Sequence, residues 1–262
     1  MTYPSTIGGI NRLPRPEKRS VYSKVIPPEL LSKFSIPPSL VDQHGHDLLS
    51  LTCPSGSSDA ELAVYHRHGF PDPVLFGHIT DTLQGQLHIL LYGMNDPSTQ
   101  RYNVDRLPDG TKTNFGTDHR NITEEKKALK AGLAPGQIYR GPHLFKESMY
   151  QFERFVSMLG HDLYFVEPLY YHVAIIFERH GFSYQSGRQL MKRIHSGFSP
   201  GGDLLPSLDK ENPFRQPAAA NSIRLRSWAV HDHILNHPFA DVTMYKYIGK
   251  EAGVSTAPGI PW

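Results

Sequence analysis

One cysteine, Cys53, stands in the whole chain of 262 residues, so no disulfide can form within it. That usage suits a reducing compartment. No run of eighteen apolar residues occurs, and a membrane-crossing helix needs about that many. The opening residues, MTYPSTIGGINRLPRPEKR, lack the apolar stretch of a secretory signal. A cytoplasmic location, with no membrane as partner, is therefore the default expectation. An excess of charge of one sign is missing too. The net charge is +2 with histidine neutral, which gives no electrostatic case for nucleic acid as the main partner. Internal repeats are absent, and low-complexity sequence is confined to the proline-rich ends.

What is present is a globular composition. The hydrophobic fraction is 39% and the charged fraction 20%, as in a soluble protein able to bury a substantial core. The 15 histidines are many, and most would charge below about pH 6.5. Residues 1–40 carry Pro4, Pro14, Pro16, Pro27, Pro28, Pro37 and Pro38. Each removes a backbone donor and holds its predecessor extended. This segment reads as an extended arm with one short helix over 28–34. Its Tyr22, Val25, Leu30, Leu31 and Phe34 point to packing on the body or on a neighbouring subunit, which would make a homo-oligomer. Residues 41–262 read as a single α/β domain.

Within that domain, 48–53, 61–66, 74–80 and 86–94 have strand patterns, and TDTLQG between the last two is a hairpin signal. Residues 102–106 and 112–115 fit a further hairpin about Pro108-Asp109-Gly110. Asn121 or Thr123 can cap a helix from Glu124, ended by Gly132. The most ordered writing runs over 135–184. Pro142 sits near a helix start, and Phe145, Met149, Phe152, Val156 and Leu159 form one apolar stripe. Gly160 stops it. Residues 163–166 read as a buried, parallel strand, and 169–180 as a second helix. Helices follow over 187–196 and 222–235, with Trp228 in the core and Arg224 and Arg226 on the surface. SPGGDLLPSLDKENPFRQP between them reads as a lid or packing arm. VTMYKYIGK closes as a strand or short helix. The fold class is mixed α/β, with a mainly antiparallel sheet flanked by helices.

The helix–strand–helix unit ending in Ile176-Phe177-Glu178-Arg179-His180-Gly181-Phe182 resembles the C-terminal half of the GNAT-type N-acyltransferases. Arg140-Gly141 before it, and the antiparallel strands before that, follow the family's order. The resemblance covers roughly 50 residues, and about 110 with the strands over 74–94. It implies a GNAT-like core, acyl-CoA as cofactor and a small amine-type substrate. Arg140, Gly141, His143 and Leu144 would then hold the pyrophosphate, on a turn whose amides open a helix. The sequence departs from the pattern in four places. Ile138 and His143 flank Gly141 where the family has a basic residue or glutamine and a small one. Phe177 stands at the frequent tyrosine, and Tyr170 at the asparagine. After Gly181-Phe182 a helix is expected where the family has two strands.

Read from the residues alone, Glu167, Tyr170, Tyr171 and His172 crowd a strand-to-helix turn, a place where α/β proteins bind ligands. Glu167 or His172 could take a proton from an attacking amine, and Tyr170 or Tyr171 could return one. Arg140 before a helix N-terminus suits a phosphate or carboxylate. His66 with His68, and His78 opposite His88 across a hairpin, are the best metal candidates in a cupin-like alternative. His231, Asp232, His233 and His237 invite the same reading. No carboxylate completes a recognisable metal spacing, so no metal site is assigned. A third reading is a non-catalytic structural or interaction subunit.

Overall fold

The structure is a computed structural model, and it describes residues 3–113 and 119–262. Among the described residues the helices are α1 (Ile7–Ile10), α2 (Arg15–Tyr22), α3 (Pro28–Lys33), α4 (Ile122–Lys130), α5 (Phe145–Met158), α6 (Tyr171–Arg179), α7 (Arg188–Phe198) and α8 (Ile223–His231). The strands are β1 (Leu49–Thr52), β2 (Asp59–Val64), β3 (Leu75–Asp81), β4 (Leu87–Met94), β5 (Leu163–Val166), β6 (Ser183–Ser186) and β7 (Thr243–Tyr247). They form one mixed sheet in the order β1-β2-β3-β4-β5-β7-β6. β1 to β4 are antiparallel neighbours, and β5 runs parallel to β4. The expected fold class is the one found. No helix among the described residues is long and apolar enough to cross a membrane.

The chain divides into two compact units. The first comprises Met1–Pro97, Gly141–Glu167 and Tyr245–Glu251, and so contains β1 to β5 and α5. The second comprises Ser98–Arg140, Pro168–Met244 and Ala252–Trp262. In the first unit, strand side chains alternate in burial as period two demands; β3 buries Leu75, Gly77 and Ile79. A bulge falls between His78 and Ile79, which pair with Leu91 and Ile89 and leave Leu90 as the extra residue. α5 lays the predicted stripe inward. Met149, Phe152, Val156 and Leu159 are buried, with Phe155 beside them. Phe152 meets Tyr164 of β5 edge-on at 5.2 Å. The helix begins at Phe145 and not at Pro142, because His143 takes a left-handed φ of 60° that no helix admits.

The proline-rich N-terminal segment is not extended. Its prolines open α2 and α3, where a missing amide costs nothing. Asp81 of β3 accepts the amides of Ile7 (2.7 Å) and Gly8 (2.8 Å). Asn11 is fully buried; its amide nitrogen donates to the carbonyls of Ser57 and Asp59, each at 2.8 Å, and its oxygen accepts from Tyr22.

In the second unit Tyr102, Val104, Ala128, Leu133, Phe214 and Trp228 form a core. Trp228 is inside as expected, but so is Arg226. Its guanidinium donates to the carbonyls of Ala219 and Ala220 and lies 5.2 Å from the Phe198 ring. The loop after α7 buries Leu204 and Phe214 and is a packing arm. Ser222 caps α8 and Asn121 caps α4 through their side chains. The hairpin expected over 102–115 is reduced to one bridge, Arg106 with Lys112, and residues 114–115 lie outside the described residues. Carbonyls that a strand partner would have taken go to the Asn121 side chain, which donates to Asn103 and Arg106. After Gly181-Phe182 the chain forms β6 before α7. That strand was invisible because SYQS is short, polar and half-exposed.

Replacing Asn11 by leucine should destabilise the protein by about 2 kcal/mol or more, since two carbonyls and the Tyr22 hydroxyl lose their partner in the interior. Chemical denaturation checks this, and Tyr22→Phe in the same background should recover part of the loss.

Candidate functional site

Two places gather chemistry, one in each unit. In the first, β5 accompanies β4 only from Leu87 to Ile89. The Glu167 amide extends that ladder to the Ile89 carbonyl at 3.0 Å, and β5 goes no further. β4 continues through 90–94, roughly 16 Å at strand rise. At the near end of this stretch, Glu167 Oε2 lies 4.0 Å from His88 Nε2. Glu167 is about half exposed and His88 largely covered, with Phe165 edge-on to its ring. Burial pushes the His88 pKa down, and the Glu167 charge pulls against that; the net direction is down. The shift favours the neutral imidazole of His88 beside the Glu167 carboxyl group. At the far end, the Ser148 hydroxyl of α5 donates to Met94 Sδ at 3.1 Å. The Tyr92 hydroxyl is buried beside it without a well-formed hydrogen bond, and burial raises its pKa.

The predicted phosphate turn adjoins this stretch in sequence. Gly141, His143 and Leu144 belong to the first unit and lead into α5. No side chain caps that helix, and among the described residues the amides of these three donate no hydrogen bond. A side chain built on Gly141 would meet nothing within 4 Å. The space is open, and His143 takes a left-handed φ of 60°. Lys33 Nζ sits at the Pro142 carbonyl and at Asp96, 3.3 Å from each. Glu147 in the first turn opposes an incoming anion. Arg140 belongs to the second unit, where it donates to the Ala131 carbonyl at 2.9 Å. Free amides at an uncapped helix start suit phosphate oxygens.

The second unit holds Tyr170, Tyr171 and His172. His172 is buried, with its Nδ1 2.8 Å from the Ser227 hydroxyl, the Tyr170 ring stacked on it at 5.6 Å and Trp262 edge-on at 5.8 Å. Burial, helped by His231, drives its pKa down to about 3. A base that weak takes no proton from an amine near neutral pH. Tyr170 packs against the backbone of Gly136, where any side chain would overlap its hydroxyl. Burial raises the pKa of both tyrosines. Below them, buried Glu125 accepts from His231 at 2.9 Å and from Arg120, whose other nitrogen reaches Asp232 at 2.7 Å. Asp232 also holds Arg215 and Asn212. Burial would raise both carboxyl pKa values, but these hydrogen bonds lower them. Every charge in this network has a partner, and it ties α4 to α8.

Of the four residues proposed for proton transfer, Tyr170, Tyr171 and His172 thus share the second unit, while Glu167 lies in the first beside His88. That histidine could not be found from sequence, because only the β4–β5 pairing brings it there. The metal expectations do not hold as drawn. His66 and His68 follow the end of β2 instead of sharing its face. His88 lies opposite Thr80, and His78 opposite Leu91. His233 and His237 lie beyond the end of α8. Among the described residues, no three His, Cys, Asp or Glu side chains converge on a metal-sized point as they stand.

The buried His172 makes a pH prediction. Unfolded, it takes a proton near pH 6.5; folded, only near 3. The folded state binds fewer protons across that window, so this stabilisation is complete above 6.5 and is lost as pH falls towards 3. Denaturation melts between pH 6.5 and 5 should show stability falling, and His172→Gln should remove about 1.4 kcal/mol per pH unit of that slope.

Comparison of this chain with protein-family models, with curated proteins and with solved structures finds no match.

Proposed function

We propose that this protein is a GNAT-like acyltransferase that moves an acyl group from coenzyme A to a small amine-type acceptor. The reading is supported by the succession of elements. Antiparallel strands β2, β3 and β4 are followed, after residues 95–140 with α4, by a glycine-bearing loop with unpaired amides, then α5, then β5 parallel to β4, then α6. β6 and β7 come after, at the far end of the sheet order, where the resemblance calls for two more strands. The single observation that carries it is the parallel β4–β5 pair that stops at Ile89, with an uncapped helix start on the crossover between the two strands.

Acyl-CoA, when bound, supplies an activated acyl carbon on a thioester. The chain's own residues do the rest. The amides of Gly141, His143 and Leu144 hold phosphate oxygens. Glu167 accepts the proton that the attacking amine loses as its nitrogen bonds to the acyl carbon. Neutral His88, 4.0 Å away, orients that carboxylate.

Millimolar CoA or acetyl-CoA should raise the melting temperature. Gly141→Asp should abolish most of that rise without unfolding the chain, because the new side chain has open space but puts a carboxylate where the phosphates would sit. No rise with the wild type would sink the reading. Against a panel of amine acceptors, Glu167→Gln should lower turnover about 100-fold and leave the CoA-induced rise intact.

A further inference from the structure

A second site is built from histidines that take no part in this chemistry. The segment before β1 makes a tight turn: the Asp42 amide donates to the His46 carbonyl at 2.9 Å, and Gly45 to the Asp42 carbonyl at 3.0 Å. Gly45 supplies the φ of 84° that the turn requires. Asp42 Oδ1 accepts the amides of His44 (2.8 Å) and His46 (2.9 Å), and its Oδ2 holds His46 Nδ1 at 3.0 Å. A second turn follows β2 over 67–70 and carries His68. Leu49 pairs with Val64, so the antiparallel β1–β2 pairing brings the start of β1 and the end of β2 to one end of the sheet. The His46 and His68 rings stack there at 4.1 Å with planes 13° apart, and the His44 ring is 6.1 Å from that of His46. All three imidazoles are exposed.

We infer that His44, His46 and His68 form a surface site for a divalent transition-metal ion of zinc type, oriented by Asp42. Two imidazoles on one tetrahedral ion have ring centres roughly 5 Å apart, given a metal–nitrogen distance of about 2 Å. The observed spacings bracket that value. The rings now stack instead of converging, but exposed side chains change rotamer within nanoseconds. Rotation of His44 and His68 about their side-chain bonds would bring a nitrogen of each onto one ion shared with the open nitrogen of His46, with His44 Nε2 leaving Gln43 Nε2 at 3.2 Å if that nitrogen is used. With Nδ1 engaged by Asp42, the open nitrogen of His46 is Nε2. A carboxylate on the second ring nitrogen is the usual outer partner of a metal-bound histidine, since it fixes the ring and raises its basicity.

Zinc chloride titrated into a mixture of the full chain and a chromophoric chelator tests this. The wild type should withhold one equivalent from the chelator. His44→Ala/His46→Ala/His68→Ala should bind at least 10-fold more weakly, and Asp42→Asn 10-fold or more weakly through the loss of ring orientation. Cobalt should give the intense visible bands of a tetrahedral ion with the wild type alone. Equal retention by the wild type and the triple variant places any binding elsewhere and overturns the proposal, as does no retention by either. The single variant His68→Ala, on an exposed side chain, gives the same decision should the triple variant fold poorly.

Discussion

The parallel pairing of β5 with β4 is the constraint from which the first unit follows. Antiparallel neighbours can be joined by a tight turn, as β3 and β4 are, but a parallel neighbour must be reached by a crossover. The crossover runs over residues 95–162 and ends in α5, whose apolar stripe packs on the sheet that β5 rejoins. Phe152 against Tyr164 is the direct contact. The crossover also sets where the helix begins, and so where its unpaired amides lie. Because the pairing is only three residues long, β4 runs on without β5 on that side, and Glu167 comes to rest beside His88.

The two candidate places differ in how their charged groups are met. In the second, the interior charges are saturated. Glu125 has two partners, Asp232 has three, and the fully buried Arg226 is met by carbonyls, by the Phe198 ring and by His195 Nδ1 at 3.2 Å. Burial and the Arg226 charge both push the His195 pKa down, which keeps that nitrogen an acceptor. Removing one member of such a set strands its partner in a poor solvent for charge, so this is a network that holds helices together. In the first unit the groups of interest are only half satisfied. His88 and Glu167 are 4.0 Å apart, and the amides before α5 have no protein acceptor. Unfinished hydrogen bonding at an accessible place is what a ligand completes.

Local signals in the sequence were faithful where the physics is local. The stripe of α5 comes from its own 3.6-residue period, the caps Asn121 and Ser222 from side-chain oxygens that reach amides two or three residues ahead, and the stops at Gly132, Gly160 and Gly181 from left-handed φ values. The same signals misled where a distant partner intervened. The expected hairpin is reduced to the Arg106–Lys112 bridge among the described residues, with the Asn103 and Arg106 carbonyls going to Asn121. Arg226 looked like a surface cation until carbonyls of the preceding turn, Phe198 and His195 enclosed it. β6 had no pattern of its own, and its place at the edge of the sheet order comes from pairing.

The sequence by itself determined α3 to α8, β1 to β5, their order, and the mixed sheet flanked by helices, since propensity, periodicity and capping act over a few residues. It also marked Glu167 and the Gly141 turn as places where chemistry could sit. Only the tertiary structure decided which residues meet. It put His88 with Glu167, His172 with Ser227, and His46 with His68, and it took His78 away from His88 by a register no local rule specifies. The reason is geometric. A one-residue slip in a ladder moves every side chain to the other face, and the choice of register is made by the whole sheet and its core, not by the residues that end up opposite one another.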